Sequence, residues 1–219
     1  MKHTLICIEG TDGCGKKTQS ELLHKALTAQ GKNVIVVSFP NYESISSGPV
    51  KMYLGGEFGD KANCFDAYQA SSLYAVDRLC TMKKIMNELK QDTVIIFDRY
   101  VQSNMMFQAT KLDRNKDINK CLDWIDNFEF NVLKLPRPDK VLFLDVPPKI
   151  SYAITNKRAD QKTGNKIDIH ENDLAFMTNV YNKTKHAVKR FKWTTINCTD
   201  GDTLKSIEEI HQMILAEVK

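Results

Sequence analysis

The stretch that most constrains this chain is its first glycine loop, where an apolar run, "TLICIE", passes directly into "GTDGCGKK" and then into a helical pattern. Gly10, Gly15 and Lys16 fit G-x-x-x-x-G-K, and Leu22, Leu23, Ala26 and Leu27 follow at helical spacing. Strand, loop and helix in that order form an anion cradle. The glycines let backbone N–H groups curl around a phosphate, and the helix N-terminus adds its positive pole. Gly10, Asp12, Gly13, Cys14, Gly15, Lys16, Lys17 and Thr18 are therefore the expected contacts to a nucleotide's phosphates, with Lys16 bridging β and γ. An ordinary glycine-rich turn is the alternative, and it leaves the match of motif and context unexplained.

One position is unusual. Lys17 stands where such loops carry a Ser or Thr hydroxyl for magnesium, and an ammonium has no lone pair for a cation. Thr18 comes one residue late. Either the metal is held on carboxylates and water, with Asp12 and Glu171 as candidates, or metal binding is weaker than usual.

Four more apolar runs, "NVIVVSF", "TVIIFD", "KVLFLDV" and "WTTIN", alternate with helical periods such as Met82, Ile85, Met86, Leu89 and Ile207, Ile210, Ile214. Three of the five runs are continuous, as in strands covered on both faces. The expected fold is α/β: one domain over residues 1–219, a five-stranded mostly parallel sheet with helices on both faces, and the ligand at the carboxyl ends of the strands. "KRADQKTGNKID", Lys157 to Asp168, is polar and glycine-containing, and reads as a mobile lid loop.

Composition removes several function classes. The formal charge of +4 comes from 31 basic against 27 acidic residues, without a basic tract of the kind that follows a nucleic-acid backbone. Six cysteines without C-x-x-C spacing suggest neither a zinc site nor a disulfide framework. No run is long enough for a membrane span, so a cytoplasmic protein that acts on small molecules is expected.

Two further stretches carry chemistry. "VIIFDRY" puts Asp98 at a strand end for a water-mediated magnesium contact, and Arg99 beside it as a bidentate phosphate clamp; a surface Asp-Arg ion pair is the plain alternative. In the helix that follows, Ser103 with Phe107, and Asn104 with Gln108, lie one turn apart and line one face. Tyr74 and Arg78 in "SLYAVDR" project from a shared helical face, where a flat ring and planar donors can take a nucleobase; a core aromatic beside a surface arginine is the commoner alternative, and the phosphate loop favours the nucleobase. The five histidines show no ligand spacing, and Asp145 reads as a strand end.

"EGTDGCGKKTQ", "FPNY", "SLYAVDR", "DRYVQSN", "LPRPDKVLFLDV" and "TDGDTLKSIEEIH", in this order along nearly the whole chain, resemble the thymidylate kinases. The resemblance implies a P-loop NTPase fold and transfer of the ATP γ-phosphate to dTMP with Mg²⁺, in a homodimer. It implies that Tyr74 stacks on the base, Arg78 reads the thymine edge, and Arg99 and Asn104 hold the acceptor. Phe107 would crowd the sugar 2′ position, Asp12 would lie near the 3′-hydroxyl and the metal, and Phe39, Tyr42, Ser103 and Gln108 would complete the acceptor site. Lys16, Arg99, Arg158 and Asp12 would be the catalytic set.

Three departures from the family pattern stand out: Lys17, Asn41 in place of an arginine after Phe-Pro, and a lid with Arg158 as its single arginine beside Lys162 and Lys166. Other readings are another nucleoside monophosphate or deoxynucleoside kinase, and a nucleotide-binding module without catalysis. "TNKRAD" brings to mind the N-K-x-D of GTPases, but Asp160 falls one residue late. With Arg158 as the lid's single guanidinium, Arg158→Ala is expected to lower kcat on the order of a hundredfold in a steady-state assay; a change within about twofold would remove it from the reaction.

Overall fold

The structure, a computed structural model, describes residues 3–59, 64–161 and 174–218, with 157–161 by their backbone alone. In chain order the elements are β1 (Thr4–Glu9), α1 (Lys16–Ala29), β2 (Val34–Ser38), α2 (Gly48–Leu54), α3 (Ala67–Glu88), β3 (Val94–Asp98), α4 (Val101–Phe107), α5 (Asn115–Asp126), β4 (Lys140–Asp145), α6 (Pro148–Gln161), α7 (Leu174–Phe191), β5 (Thr194–Asn197), β6 (Thr199–Asp200), β7 (Thr203–Leu204) and α8 (Ile207–Glu217). A 3₁₀ turn, Ile45–Ser47, leads into α2, and another, Gln108–Lys111, prolongs α4; a π-helical turn, Asn127–Val132, prolongs α5. Five strands form one sheet in the order β2-β3-β1-β4-β5, and every pairing in it is parallel.

The continuous apolar runs are explained by two cores, one on each face. Leu5 and Cys7 of β1, Ile95 and Phe97 of β3, and Phe143 of β4 face Met82, Val101, Met105, Ile118, Leu122 and Ala187 of α3, α4, α5 and α7. The alternate residues Ile6, Ile8, Val94, Ile96, Leu142 and Leu144 face Leu23 and Leu27 of α1 and Ile210 and Ile214 of α8. Side chains of a strand alternate between faces, so a strand covered twice must be apolar throughout. The edge strand β2 departs from this, leaving Val36 exposed.

Register sets the floor of the site. Ser38, Ile8 and Asp98 lie level across β2, β1 and β3, so Phe39, Glu9 and Arg99 leave the sheet side by side. The next backbone bonds keep that alignment: Phe39 N–H donates to Asp98 O at 3.1 Å, and Arg99 N–H to Ile8 O at 3.2 Å.

Four details differ from the sequence expectation. Residues 157–161 continue α6 as helix and are not loop, because the first helix breaker after Pro148 is Gly164 and Lys, Arg, Ala and Gln all favour helix. The rest of the expected lid, 162–168, lies outside the described residues, as does Glu171. Met86 and Ile207, read as inward members of helical stripes, are exposed. The short antiparallel hairpin of β6 and β7, with Gly201 at φ 55° in its turn, was not expected from so polar a stretch.

Helix α3 carries Tyr74 and Arg78, and its entry is fixed by a capping box. Asp66 Oδ1 accepts from the N–H groups of Tyr68 and Gln69, each at 2.8 Å, while Gln69 Oε1 accepts from Asp66 N–H at 3.0 Å. Asp66→Ala is expected to cost about 1 kcal/mol in urea unfolding with the m-value unchanged; an unchanged midpoint would mean that packing alone sets the start of α3.

Candidate active site

The site grows from the end of β1. Gly15 precedes α1 with φ 93°, no side chain caps the helix, and its first turn carries no acidic residue. The 14-residue helix thus offers its first N–H groups to an incoming anion. Gly13, at φ 79°, packs so closely on α6 that a Cβ there would lie 2.4 Å from Ser151 O and 2.6 Å from Thr155 Oγ1. The loop therefore touches α6. Lys16 is buried and donates to the carbonyls of Gly10 at 3.0 Å and Thr11 at 2.8 Å, so its ammonium is held under its own loop. Cys14 is buried in the same loop; burial pushes its thiol above the ordinary range, and Lys16 and Arg99 pull it only part of the way back. It behaves as a small packing residue.

Beside the loop, Arg99 sits at φ 68° and pairs with Asp12, not with its neighbour Asp98. The surface Asp98-Arg99 ion pair weighed on sequence is absent among the described contacts. Burial opposes the charge of Arg99, but the carboxylates of Asp12, Glu9 and Asp98 outweigh it, so the guanidinium is held charged above its ordinary range. Phe107 lies against it, with the ring centroid 5.4 Å from Cζ.

Glu9 was not singled out on sequence. It is fully buried, and its Oε1 accepts from Tyr100 N–H at 2.8 Å, while Ser103 Oγ donates to its two oxygens at 3.0 and 2.9 Å. One carboxylate at the head of the phosphate loop thereby holds the turn that presents Arg99. Burial raises its carboxyl above the ordinary carboxylate range, and Arg99, Tyr100 N–H, Lys16 and Ser103 offset only part of that.

Along α4 and α3 a cavity of about 1110 Å³ opens. Asp12, Lys17, Phe39, Tyr42, Tyr74, Arg78, Asp98, Arg99, Ser103, Asn104, Phe107 and Gln108 all line it. Lys16, Thr18 and the loop glycines are not among its lining residues, and the side chain of Arg158 lies outside the described set. Ser103 differs from expectation in that its hydroxyl is committed to Glu9. Tyr74 is half-buried and meets Tyr53 edge-on, with centroids 6.5 Å apart. Gln108 Oε1 is buried without a protein partner. Asn41, the departure after Phe-Pro, anchors its loop: its N–H donates to Asp77 Oδ2 at 2.8 Å and its Nδ2 to Thr81 Oγ1 at 3.3 Å.

Several lining residues were missed, among them Lys111, Phe176 and Asn179. Lys111 donates to Tyr53 Oη at 3.0 Å and to Phe65 O at 2.8 Å, and burial lowers its pKa. It lies one turn beyond Phe107, so extending the α4 pattern by four residues would have found it. Phe176 and Asn179 of α7 also line the cavity, at a distance in sequence that no local pattern reveals.

Asp12 and Asp98 supply hard oxygen donors to one cavity, while among the described residues no group of three or more His, Cys, Asp or Glu forms a metal cage. That donor set suits a cation which keeps its waters and leans on phosphate oxygens, as Mg²⁺ does. His186 is 2.7 Å from Asn119 Oδ1, and Asp145 accepts from Tyr181 Oη at 2.7 Å, so both have structural partners. Among the described residues no helix is long and apolar enough to cross a membrane.

A parallel sheet in this order, with the glycine loop after its first strand and a cavity at the carboxyl ends, defines a P-loop nucleotide-binding protein. Comparison with known proteins narrows the class. The thymidylate kinase family model matches residues 8–214. Thymidylate kinase from Mycobacterium tuberculosis is 35% identical over 170 residues, 77% of this chain and 78% of that protein. Thymidylate kinase from Plasmodium falciparum is 28% identical over 217 residues, covering 99% and 90% of the two chains. A solved thymidylate kinase from Candida albicans has the same fold, with a TM-score of 0.70 at 20% identity over 99% of this chain and 91% of that one. The chain belongs to the thymidylate kinase family.

A buried carboxyl with a raised folded-state pKa stabilises the fold below its unfolded value and loses that contribution as pH rises through the folded value. For Glu9 the window therefore starts at the model-compound value of 4.5 and extends upward. In urea melts across that window, stability of the wild type should fall with rising pH more steeply than that of Glu9→Gln; parallel slopes would contradict the raised carboxyl.

Proposed function

We propose that this chain transfers the γ-phosphoryl group of ATP to dTMP, giving ADP and dTDP on the route to dTTP. The observation that carries the reading is one cavity with a phosphate clamp, Arg99 with Asp12, beside the glycine loop, and a planar donor-acceptor pair, Arg78 with Asn104, further along it. A nucleoside monophosphate has that polarity, with charge at one end and a flat base at the other.

The acceptor's phosphate sits at Arg99, which its carboxylate neighbours keep charged. Its oxygen is already ionised at neutral pH, so attack on the γ-phosphorus requires no general base. As the new P–O bond forms, the bond to the ADP oxygen breaks in line, and charge spreads over the equatorial oxygens. Lys16 and the N-terminus of α1 bind the donor's β- and γ-phosphates, Arg99 holds the acceptor, and Arg158 is assigned to the γ-phosphoryl from the lid. Mg²⁺, when bound with ATP, would be held by Asp98 and Asp12, with Glu171 as a further candidate, and would neutralise phosphate charge. Tyr74 supplies a stacking face for the base, and Phe107, fixed beside Arg99, fills the space next to the sugar.

The reading places the enzyme in the cytoplasm as a homodimer. Helix α3 leaves Val76 and Met86 exposed, apolar surface of the kind subunit contacts cover.

A coupled ADP-release assay with ATP and Mg²⁺ against dTMP, dUMP, UMP, dCMP, AMP and GMP tests the reading. Turnover is expected to be highest with dTMP. Preference for another monophosphate would keep the kinase and discard the base assignment, and silence on all six with ATP still bound would leave a nucleotide-binding module.

A further inference from the structure

Glu129 belongs to none of the phosphoryl-transfer motifs, and it touches neither the glycine loop nor the Arg99 clamp. It is nevertheless fully buried, in the π-helical turn after α5, a form of helix that often marks functional positions. Its Oε2 accepts from Arg78 Nε at 2.6 Å, and its Oε1 accepts from Arg78 Nη2 and from Asn104 Nδ2, each at 2.8 Å. The second hydrogen of Asn104 Nδ2 goes to Ser71 O at 3.0 Å.

These bonds fix more than position. A carboxylate paired with a guanidinium can only accept, and so can a backbone carbonyl. The amide of Asn104 must therefore turn its nitrogen toward Glu129 and Ser71, which leaves Oδ1 as its polar atom for the cavity that it lines. Arg78 gives Nε–H and one Nη2 hydrogen to Glu129, and its Nη1 makes a long 3.4 Å contact to Tyr100 O, so the hydrogens left for the cavity that Arg78 lines centre on Nη1. The seat thus pairs one donor, Nη1–H, with one acceptor, Oδ1. A 4-keto pyrimidine offers the complement, an acceptor at O4 and a donor at N3–H. A 4-amino pyrimidine opposes the seat at both atoms, with a donor at N4 and an acceptor at N3.

We propose that Glu129 is a positioning residue that sets the hydrogen-bond polarity of the base seat, so that the site takes 4-keto pyrimidine monophosphates and rejects 4-amino ones. The proposal rests on the dTMP-kinase reading and names the residue that enforces its base selectivity. The charge of Glu129 is essential to it, because a neutral amide at this position could donate to Asn104 Oδ1 and let Asn104 turn its nitrogen to the cavity, at the loss of its bond to Ser71 O.

The test compares kcat/KM of the wild type and Glu129→Gln for dTMP, dUMP and dCMP. The dTMP-to-dCMP preference is expected to fall about tenfold or more, since a mismatched buried hydrogen-bonding edge is what enforces large discrimination. The dTMP-to-dUMP ratio should stay unchanged, because both share the imide edge. The loss should appear in the acceptor KM while the KM for ATP holds. An equal fall for all three acceptors, or an unchanged dTMP-to-dCMP preference, would overturn the proposal and leave Glu129 a structural residue. If the glutamine variant does not fold, Glu129→Asp decides, since it keeps an acceptor-only carboxylate: retained preference at lower kcat/KM supports the proposal, and lost preference overturns it. A wild type inactive on dTMP would sink the parent reading and this inference together, whereas an active, selective wild type with an unmoved variant sinks the inference alone.

Discussion

The junction of the phosphate loop with the turn that presents Arg99 depends on one buried carboxylate. Glu9 is the last residue of the central strand, so its backbone runs directly into the phosphate loop, and its side chain holds Tyr100 N–H and the Ser103 hydroxyl on the neighbouring turn. The phosphate loop and the Arg99 turn are therefore tied to each other through Glu9 as well as through the Arg99–Asp12 pair. This arrangement has a cost, visible in the raised carboxyl of Glu9, because a buried charge loses hydration that its partners only partly replace. The return is pre-organisation: Arg99, at positive φ, is held against Asp12 and Phe107 before any substrate arrives.

The base end of the cavity uses the same device a second time. Arg78 and Glu129 form a bidentate pair with both side chains almost fully excluded from solvent. Such pairs add little net stability compared with apolar packing, and removing one partner leaves an uncompensated charge. What they supply is orientation. An arginine free to rotate could donate in several directions, while one clamped at Nε and Nη2 keeps its remaining hydrogens in one fixed plane. Two buried carboxylates, Glu9 and Glu129, thus aim the two arginines to which the proposed reaction assigns the acceptor's phosphate and base.

The parts legible in the sequence are those encoded locally. The five strands could be read to within one residue at each end, because their continuous apolar runs record burial on both faces. The phosphate loop was legible from its spacing, and the α4 face from its one-turn intervals. Glu9 and Glu129 were not, for different reasons. Glu9 sits inside what reads as the end of a strand, where a carboxylate looks like a terminus facing solvent. Glu129 meets Arg78 across 51 positions and from a π-helical turn, so neither periodicity nor motif spacing marks it. The start of the lid was misread because polar composition suggested a loop, where helix propensity carries α6 on to Gln161.

The central claim is that one cavity seats the whole acceptor, phosphate at Arg99 and base at Arg78 with Asn104. A crystal structure with dTMP and ADP bound tests it most directly. The account predicts the acceptor phosphate within hydrogen-bonding distance of the Arg99 guanidinium, thymine O4 facing Arg78 Nη1, and N3–H facing Asn104 Oδ1, with Glu129 still holding both side chains. A base bound away from Arg78, or an Asn104 amide turned with its nitrogen to the ligand, would contradict it.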